Sequence, residues 1–189
     1  MDDLENNIVN RARGWVEVNF SPESISKSPV VSVCVQTYQH EKFIEQCLHG
    51  IVSQQTNFEF EIVLGEDQSK DETRKKCIEF AKRHPDLIRL ILHDRSNQIY
   101  INGSPTGRFN FMNNMANCRG KYIAVCEGDD YWLDPHKLQK QVDYLESHPE
   151  LAMCFHNAMM VNEQDSRRES SSTYLMSILI RYILSIVEE

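Results

Sequence analysis

The chain has 189 residues, enough for one domain with a sizeable core. It is 41% hydrophobic and 25% charged, an ordinary globular balance. The net charge of −8 leaves no basic footprint for nucleic acid, and it makes a cation a natural companion for any phosphorylated ligand.

None of the six cysteines, Cys34, Cys47, Cys77, Cys118, Cys126 and Cys154, forms a CxxC pair, and most sit in apolar segments. They read as free, buried thiols of a reducing compartment. The N-terminus, Met1-Asp2-Asp3-Leu4-Glu5, is acidic and lacks the character of a secretory signal.

Residues 1–28 form a polar arm. Within it Trp15, Val16, Val18 and Phe20 alternate with polar residues, which fits a short edge strand, a docking arm or a flexible leader. Val30 to Val35 is rich in β-branched residues and reads as a buried strand. Gln36-Thr37-Tyr38-Gln39 follows as a polar loop. From Glu41 to Gln54 the apolar positions recur at helical spacing.

Phe60 to Gly65 predicts a second strand, ending in Glu66-Asp67. Ser69 and Glu72 have capping-box spacing, so the next helix is expected to start there and to stop before Pro85. Leu87 to Leu92 predicts a third strand. Strands that alternate with helices argue for an α/β fold with a mostly parallel sheet and right-handed crossovers.

Residues 93–107 read as a polar loop. Phe109 to Asn117 predicts a helix with Phe109, Met112, Met115 and Ala116 inward, stopped by Gly120. An apolar run, Tyr122 to Cys126, then ends in three carboxylates within four residues, Glu127-Gly128-Asp129-Asp130. This is the pattern of a buried strand that delivers charge to its C-terminal end, where open α/β sheets bind ligands. Hard oxygen ligands around one glycine suit Mg²⁺ or Mn²⁺, which takes one or two protein carboxylates and leaves positions for phosphate oxygens and water.

Trp132 is expected in the core or in a pocket wall. Asp134-Pro135 is a strong helix start, and that helix is expected to run to about His148. A short strand from Leu151 to Phe155 follows. After a polar, serine-rich stretch, residues 174–187 are apolar almost all round, with Arg181 in the middle. They are too short for a comfortable membrane span and read as a docked, partner-binding or interfacial helix.

Three strands thus end in polar groups: Thr37-Tyr38, Glu66-Asp67 and Glu127 to Asp130. In a parallel sheet these ends share one edge, and a nucleotide laid across it could use all three. One carboxylate can accept the N–H of a base, a second ribose hydroxyls, and a third can hold a divalent metal against a diphosphate. No GxGxxG or GxxxxGK[ST] is present, which disfavours a Rossmann dinucleotide site and a P-loop.

Val31 to Tyr38, then Glu61 to Thr73, then Glu127 to Trp132 and Asp134 to Gln141, in this order, resemble a family 2 glycosyltransferase of the GT-A (Rossmann-like) fold over residues 29–162. The resemblance implies a nucleotide-sugar-binding domain there, with residues 163–189 as a linker and apolar C-terminal helix. It implies a nucleoside-diphosphate sugar donor, with UDP the common case, and a saccharide or other hydroxyl acceptor. It also implies a single displacement with inversion. Thr37 and Tyr38 would line the nucleotide pocket, and Asp67 would accept from the base. Arg108 matches a family arginine near the nucleotide. Asp129 would contact the ribose or the metal shell, and Asp130 would coordinate a divalent Mn²⁺ or Mg²⁺.

Gln39 and Glu66 depart mildly from the asparagine and aspartate that are common at these positions. The family supplies its catalytic base from a later segment. Here Glu163, Asp165, Glu169, Glu188 and Glu189 are acids in no recognisable motif, so no catalytic residue is assigned. The donor half is expected in this chain, with the acceptor half missing or supplied by a partner. The alternative is a non-catalytic nucleotide-sugar-binding module. The expected setting is cytoplasmic, peripheral at the inner face of a membrane, with residues 174–187 as the contact to membrane or partner.

Overall fold

The computed structural model describes residues 2–158, 160–161, 167–168 and 175–181. A helical turn, α1 (Asp2–Glu5), leads into a hairpin of β1 (Ile8–Ala12) and β2 (Trp15–Val18). Gly14 turns the hairpin at φ 82°, a conformation glycine adopts without steric cost. Residues 15–18 of the polar arm therefore take the strand among the readings left open for it.

The parallel core alternates as the sequence implies: β3 (Val31–Thr37), α2 (Ile44–Val52), β4 (Phe60–Glu66), α3 (Thr73–Arg83) and β5 (Ile88–His93). The next stretch, expected as loop, is partly ordered. A short 3-10 turn spans Arg95–Asn97, and a hairpin pairs β6 (Ile99–Ile101) with β7 (Ser104–Thr106). Asn102 and Gly103, at φ 49° and 77°, make its two-residue turn, the Asn-Gly signature of a tight hairpin.

α4 (Arg108–Asn117), β8 (Tyr122–Glu127), α5 (Lys137–Ser147) and β9 (Met153–Asn157) complete the predicted series. Two small strands, β10 (Met160–Val161) and β11 (Arg167–Arg168), pair with each other. α5 starts later than Asp134-Pro135 implied, yet Asp134 still organises the entry: its Oδ1 accepts from His136 N at 2.9 Å.

The C-terminal expectation is corrected. Leu175–Arg181 is a strand, β12, and not a helix. It lies antiparallel between β8 and β9, with Leu179 fully buried. An apolar run without clear periodicity suits a strand covered on both faces as well as a buried helix, and pairing with β8 decides the case. Arg181, odd in an apolar helix, has a role here: its guanidinium donates to Pro149 O at 2.9 Å and to Leu145 O at the end of α5. Residues 174 and 182–187 lie outside the described residues. Among those described, no helix is long and apolar enough to cross a membrane.

The eight-stranded sheet has the order β1-β2-β5-β4-β3-β8-β12-β9. Strands β5, β4, β3 and β8 are mutually parallel, flanked by antiparallel pairs on both sides. The chain steps from β3 outward to β4 and β5, then returns to place β8 on the other side of β3. That reversal is a topological switch point, and it opens a crevice at the C-terminal ends of β3 and β8.

Side chains alternate between two cores. Val33, Val35, Ile62, Leu64 and Ala124 pack with α2, α3 and α5 on one face. Cys34, Val63, Ile91 and Ile123 face the side of Cys118, with Phe111 and Met115 of α4 against them. All six cysteines are free, five of them buried.

α4 corrects another expectation. Its buried residues are Asn110 and Asn114, whereas Met112, expected as core filler, is exposed. Gly120 is not a left-handed helix stop either. A Cβ there would lie 2.4 Å from Ser32 N, so it is the close approach of β3 that requires glycine.

Candidate functional site

The loops after β3 and β4 are built as a pair. Each places a glutamine in left-handed backbone directly beyond a candidate residue: Gln39 at φ 57° after Tyr38, and Gln68 at φ 57° after Asp67. Non-glycine residues persist there only where surroundings over-determine them. Here Asp67 N donates to Thr37 O at 3.1 Å and Gln39 N donates to Ser69 Oγ at 2.9 Å. Farther along, Glu41 N donates to Asp71 Oδ2 at 3.3 Å and Glu72 N to Glu41 Oε2 at 3.0 Å.

Ser69 therefore stitches the loops and does not cap α3, which starts at Thr73. Thr73 N donates instead to Asp71 Oδ1 at 3.0 Å. Glu66 is fully buried, pairs with Arg74 and accepts from Ser69 N at 2.7 Å. It holds the loop and does not face a ligand.

Between these loops, the end of β8 and the start of α4 lies a cleft with about 300 Å³ of empty space. It is lined by Gln36, Thr37, Tyr38, His40, Asp67, Gly107, Asn110 and Glu127. Register explains the gathering: Thr37 pairs with Glu66, and Gln36 with Glu127, across three adjacent parallel strands. Thr37 and Asp67 are buried, and Tyr38 is half-buried. Thr37 Oγ1 and His40 Nδ1 are buried without hydrogen-bond partners in the protein. A buried polar atom left open beside a cleft is a place for a ligand to bind.

Thr37, Tyr38, Asp67 and Glu127, all expected at strand ends, line the cleft, and Gln36, His40 and Asn110 join them without having been singled out. Asn110 carried a signal: Asn110 and Asn114 have the four-residue spacing that shares one helix face. Gln36 sits on a buried strand, and its amide donates to Glu127 Oε1.

The acidic loop follows directly. Gly128 allows it to fold back on the loop after β3, since a Cβ would lie 2.6 Å from Thr37 Oγ1 and 2.8 Å from His40 Nδ1. Asp129 is exposed, and its Oδ2 lies 3.8 Å from His40 Nε2. Asp130 is half-buried, and its Oδ2 has no partner. Burial first, and the neighbouring Asp129 second, push the Asp130 carboxyl up to about 6. Loss of water around it also raises the Glu127 carboxyl, against the pull of the Gln36 amide, with Asp129 and Asp130 adding to the rise.

Among the described residues no group of three or more His, Cys, Asp or Glu side chains is arranged to hold a metal. One or two carboxylates with open positions is nevertheless the donor set that suits Mg²⁺ or Mn²⁺ beside phosphate. The orphaned oxygen of Asp130 fits such an ion.

At the other end of the cleft Asp67 is ion-paired. Arg95 Nη1 donates to its Oδ2 at 3.1 Å. Burial raises the Asp67 carboxyl, and Arg95 pulls against it. Arg108, the remaining candidate, is the exposed first residue of α4, next to Gly107 in the lining.

Comparison with known proteins gives a consistent outcome. The profile of glycosyl transferase family 2 matches residues 32–185. A Mycobacterium tuberculosis protein named only as uncharacterized is 37% identical over 137 residues, 72% of this chain and 37% of its own. An uncharacterized glycosyltransferase of Nostoc sp. is 25% identical over 143 residues, 76% of this chain and 41% of its own. The chain thus spans less than half the length of these relatives.

Two solved structures share the fold. The mannosyltransferase PcManGT from Pyrobaculum calidifontis, in complex with GDP-Man and Mn²⁺, has a TM-score of 0.58 at 18% identity, covering 82% of this chain and 45% of that one. S. aureus TarS 1–349, in complex with UDP-GlcNAc, has a TM-score of 0.56 at 19% identity, covering 80% and 45%.

Proposed function

The chain belongs to glycosyl transferase family 2, and from that premise we propose that it binds a nucleoside-diphosphate sugar, a UDP-sugar foremost, and serves its transfer to a saccharide or other hydroxyl acceptor in polysaccharide or glycoconjugate synthesis. One observation carries the donor site: Asp130 Oδ2, buried without a partner, follows Gly128 on the loop beyond β8 that packs against Thr37 and His40 of the switch-point cleft, which Tyr38 and Asp67 also line.

The roles divide along the strand ends. Tyr38 offers a ring to the base and Asp67 a carboxylate to its N–H. Thr37 lines the nucleotide pocket, partly through its backbone. Asp129 faces the ribose or the metal shell, and Asp130 holds the divalent ion. Arg108, the first residue of α4, would stand near the nucleotide.

In the transfer, the acceptor oxygen bonds to the anomeric carbon as the bond to the diphosphate breaks, and the hydroxyl proton leaves to a base. The divalent ion, when bound, neutralises charge that builds on the departing nucleoside diphosphate. The candidate acids Glu163, Asp165, Glu169, Glu188 and Glu189 lie outside the described residues. The alternative reading is a non-catalytic nucleotide-sugar-binding module. A cytoplasmic setting accords with six free cysteines.

Calorimetric titration with UDP and GDP, with and without Mn²⁺, tests the site. Binding that requires Mn²⁺ and is lost in Asp130→Ala is expected. Equal UDP binding without metal, or none of the change in Asp130→Ala, sinks the assignment. Release or transfer of sugar from the bound donor separates the enzyme from the binding module.

A further inference from the structure

Arg95 opens the 3-10 turn directly after β5, where Asp94 caps the turn by accepting from Ser96 N at 2.8 Å. Its backbone N–H donates to Gln68 Oε1 at 3.0 Å, which fixes it against the loop that carries Asp67. Its guanidinium lies 4.1 Å from the centroid of the Tyr38 ring. From there Nη1 donates to Asp67 Oδ2 at 3.1 Å and to Asp67 O at 3.3 Å. Gln98, turned so that its amide oxygen faces the guanidinium, accepts from Nε at 3.0 Å.

One planar cation thus holds the ring of Tyr38 and a carboxylate oxygen of Asp67 at once. The donor reading assigns these same two groups to the nucleobase, one as stacking surface and one as N–H acceptor. The Asp67 side chain is only 8% exposed, so it has little room for a second partner beside the guanidinium. The open cleft is lined by Tyr38 and Asp67 but not by Arg95, so the ring face that the guanidinium covers is filled space.

We infer that Arg95 occupies the base subsite of the free protein as a stand-in for the nucleobase, and that the donor displaces it on binding. This inference rests on the donor reading of the cleft. Its consequence is opposite to that of an ordinary cationic contact. Removing a cation from an anion site weakens nucleotide binding through charge, whereas removing a competitor strengthens it. Apparent affinity is reduced by the fraction of molecules in which the subsite is filled.

The test compares the wild-type chain, Arg95→Ala and Arg95→Lys by calorimetry with UDP and GDP in Mn²⁺, with thermal unfolding of each to confirm folding. The Kd for UDP is expected to fall roughly tenfold in Arg95→Ala, on the order of a desolvated cation–π contact. Arg95→Lys should fall between the two, because an ammonium cannot stack as a plane. Millimolar methylguanidinium should weaken UDP binding to Arg95→Ala, and NaCl of equal ionic strength should not.

A Kd raised in Arg95→Ala overturns the inference and makes Arg95 a donor contact. An unchanged Kd overturns it and makes Arg95 a bystander. Absence of competition by methylguanidinium also overturns it, because the subsite then does not accept a planar cation. If neither nucleotide binds any of the three folded proteins, the donor reading itself falls, a result distinct from the others.

Discussion

Asn114 lies so close to Gly65 that a Cβ on residue 65 would stand 2.0 Å from its Nδ2, and 2.1 Å from Asn110 Oδ1. The two asparagines clasp the sheet through this gap. Asn114 Nδ2 donates to Val35 O at 3.1 Å and to Asn110 Oδ1 at 2.8 Å, and Asn110 Nδ2 donates to Gly65 O at 3.1 Å. The clasp fixes the height of α4 over β3 and β4, and with it Gly107 in the cleft wall. Gly65→Ala is expected to destabilise by about 1–3 kcal/mol through overpacking. Urea denaturation of Gly65→Ala, Asn114→Ala and the double variant checks it: coupling well below additivity is expected, because both changes act on one contact.

Gly128 is a second glycine held by a neighbour, and here the consequence falls on binding. A Cβ would lie 2.7 Å from Thr37 Cβ as well as close to Thr37 Oγ1 and His40 Nδ1. The loop bearing Asp129 and Asp130 must then lift off the end of β3. Gly128→Ala is expected to raise the Kd for UDP with Mn²⁺ about tenfold and, because Gly128 is itself buried, to cost about 1–3 kcal/mol of stability. Calorimetry and urea denaturation of the same preparation check both halves.

The parts of this fold that could be read in sequence share one property: an apolar run bounded by polar punctuation. Val31 to Thr37, Phe60 to Glu66 and Tyr122 to Glu127 all have it, and their pairing brought Thr37, Asp67 and Glu127 to one edge. Leu175–Arg181 lacks it, since an apolar run has no period to tell a strand from a helix, and only the pairing with β8 and β9 decides. α4 misled for the opposite reason. Hydrophobicity turns Met112 inward and Asn110 outward, but the carbonyls of Val35 and Gly65 accept donors that only the asparagines supply. Arg95 could not be placed, because its partners Tyr38, Asp67 and Gln68 come from two other loops.

Glu61 anchors the end of the sheet opposite the cleft. It is fully buried and accepts from Ser32 Oγ at 2.7 Å, Arg89 Nη1 at 3.3 Å and Arg119 Nε at 3.0 Å. Arg89 Nε also donates to Glu17 Oε1 at 2.6 Å, which ties the N-terminal hairpin to the core. Glu61→Ala leaves Arg89 buried beside an empty site and is expected to cost about 3–5 kcal/mol, the range for breaking a buried charge network from one side. Equilibrium denaturation in urea checks it. Glu17→Ala should cost less and should raise proteolysis within residues 1–20 before the rest of the chain.

Lys137 makes a prediction whose sign depends on pH. Its Nζ is buried 3.8 Å over the Trp132 ring and donates to Gln141 Oε1 at 2.7 Å, with no carboxylate partner shown there. Burial lowers its pKa from 10.5 to about 8. At pH 7 the lysine is protonated in both folded and unfolded chains, and folding carries the full cost of a buried charge. Between about pH 8 and 10.5 the folded lysine is neutral while the unfolded one still binds its proton. The unfolded state then binds more protons, and this group's contribution to stability rises with pH, by about 3 kcal/mol in all. The buried thiols act the other way: the neighbouring Cys118 and Cys126 thiols, with burial second, raise Cys34 and Cys47, and burial raises Cys77, so the unfolded chain loses those protons first. The lysine is therefore isolated by difference against Lys137→Met. The variant is expected to be more stable than the wild type by about 1–3 kcal/mol at pH 7, and to lose that advantage by pH 10. Urea denaturation of both proteins at pH 7, 8.5 and 10 checks it, and a difference that stays constant with pH refutes the lowered pKa.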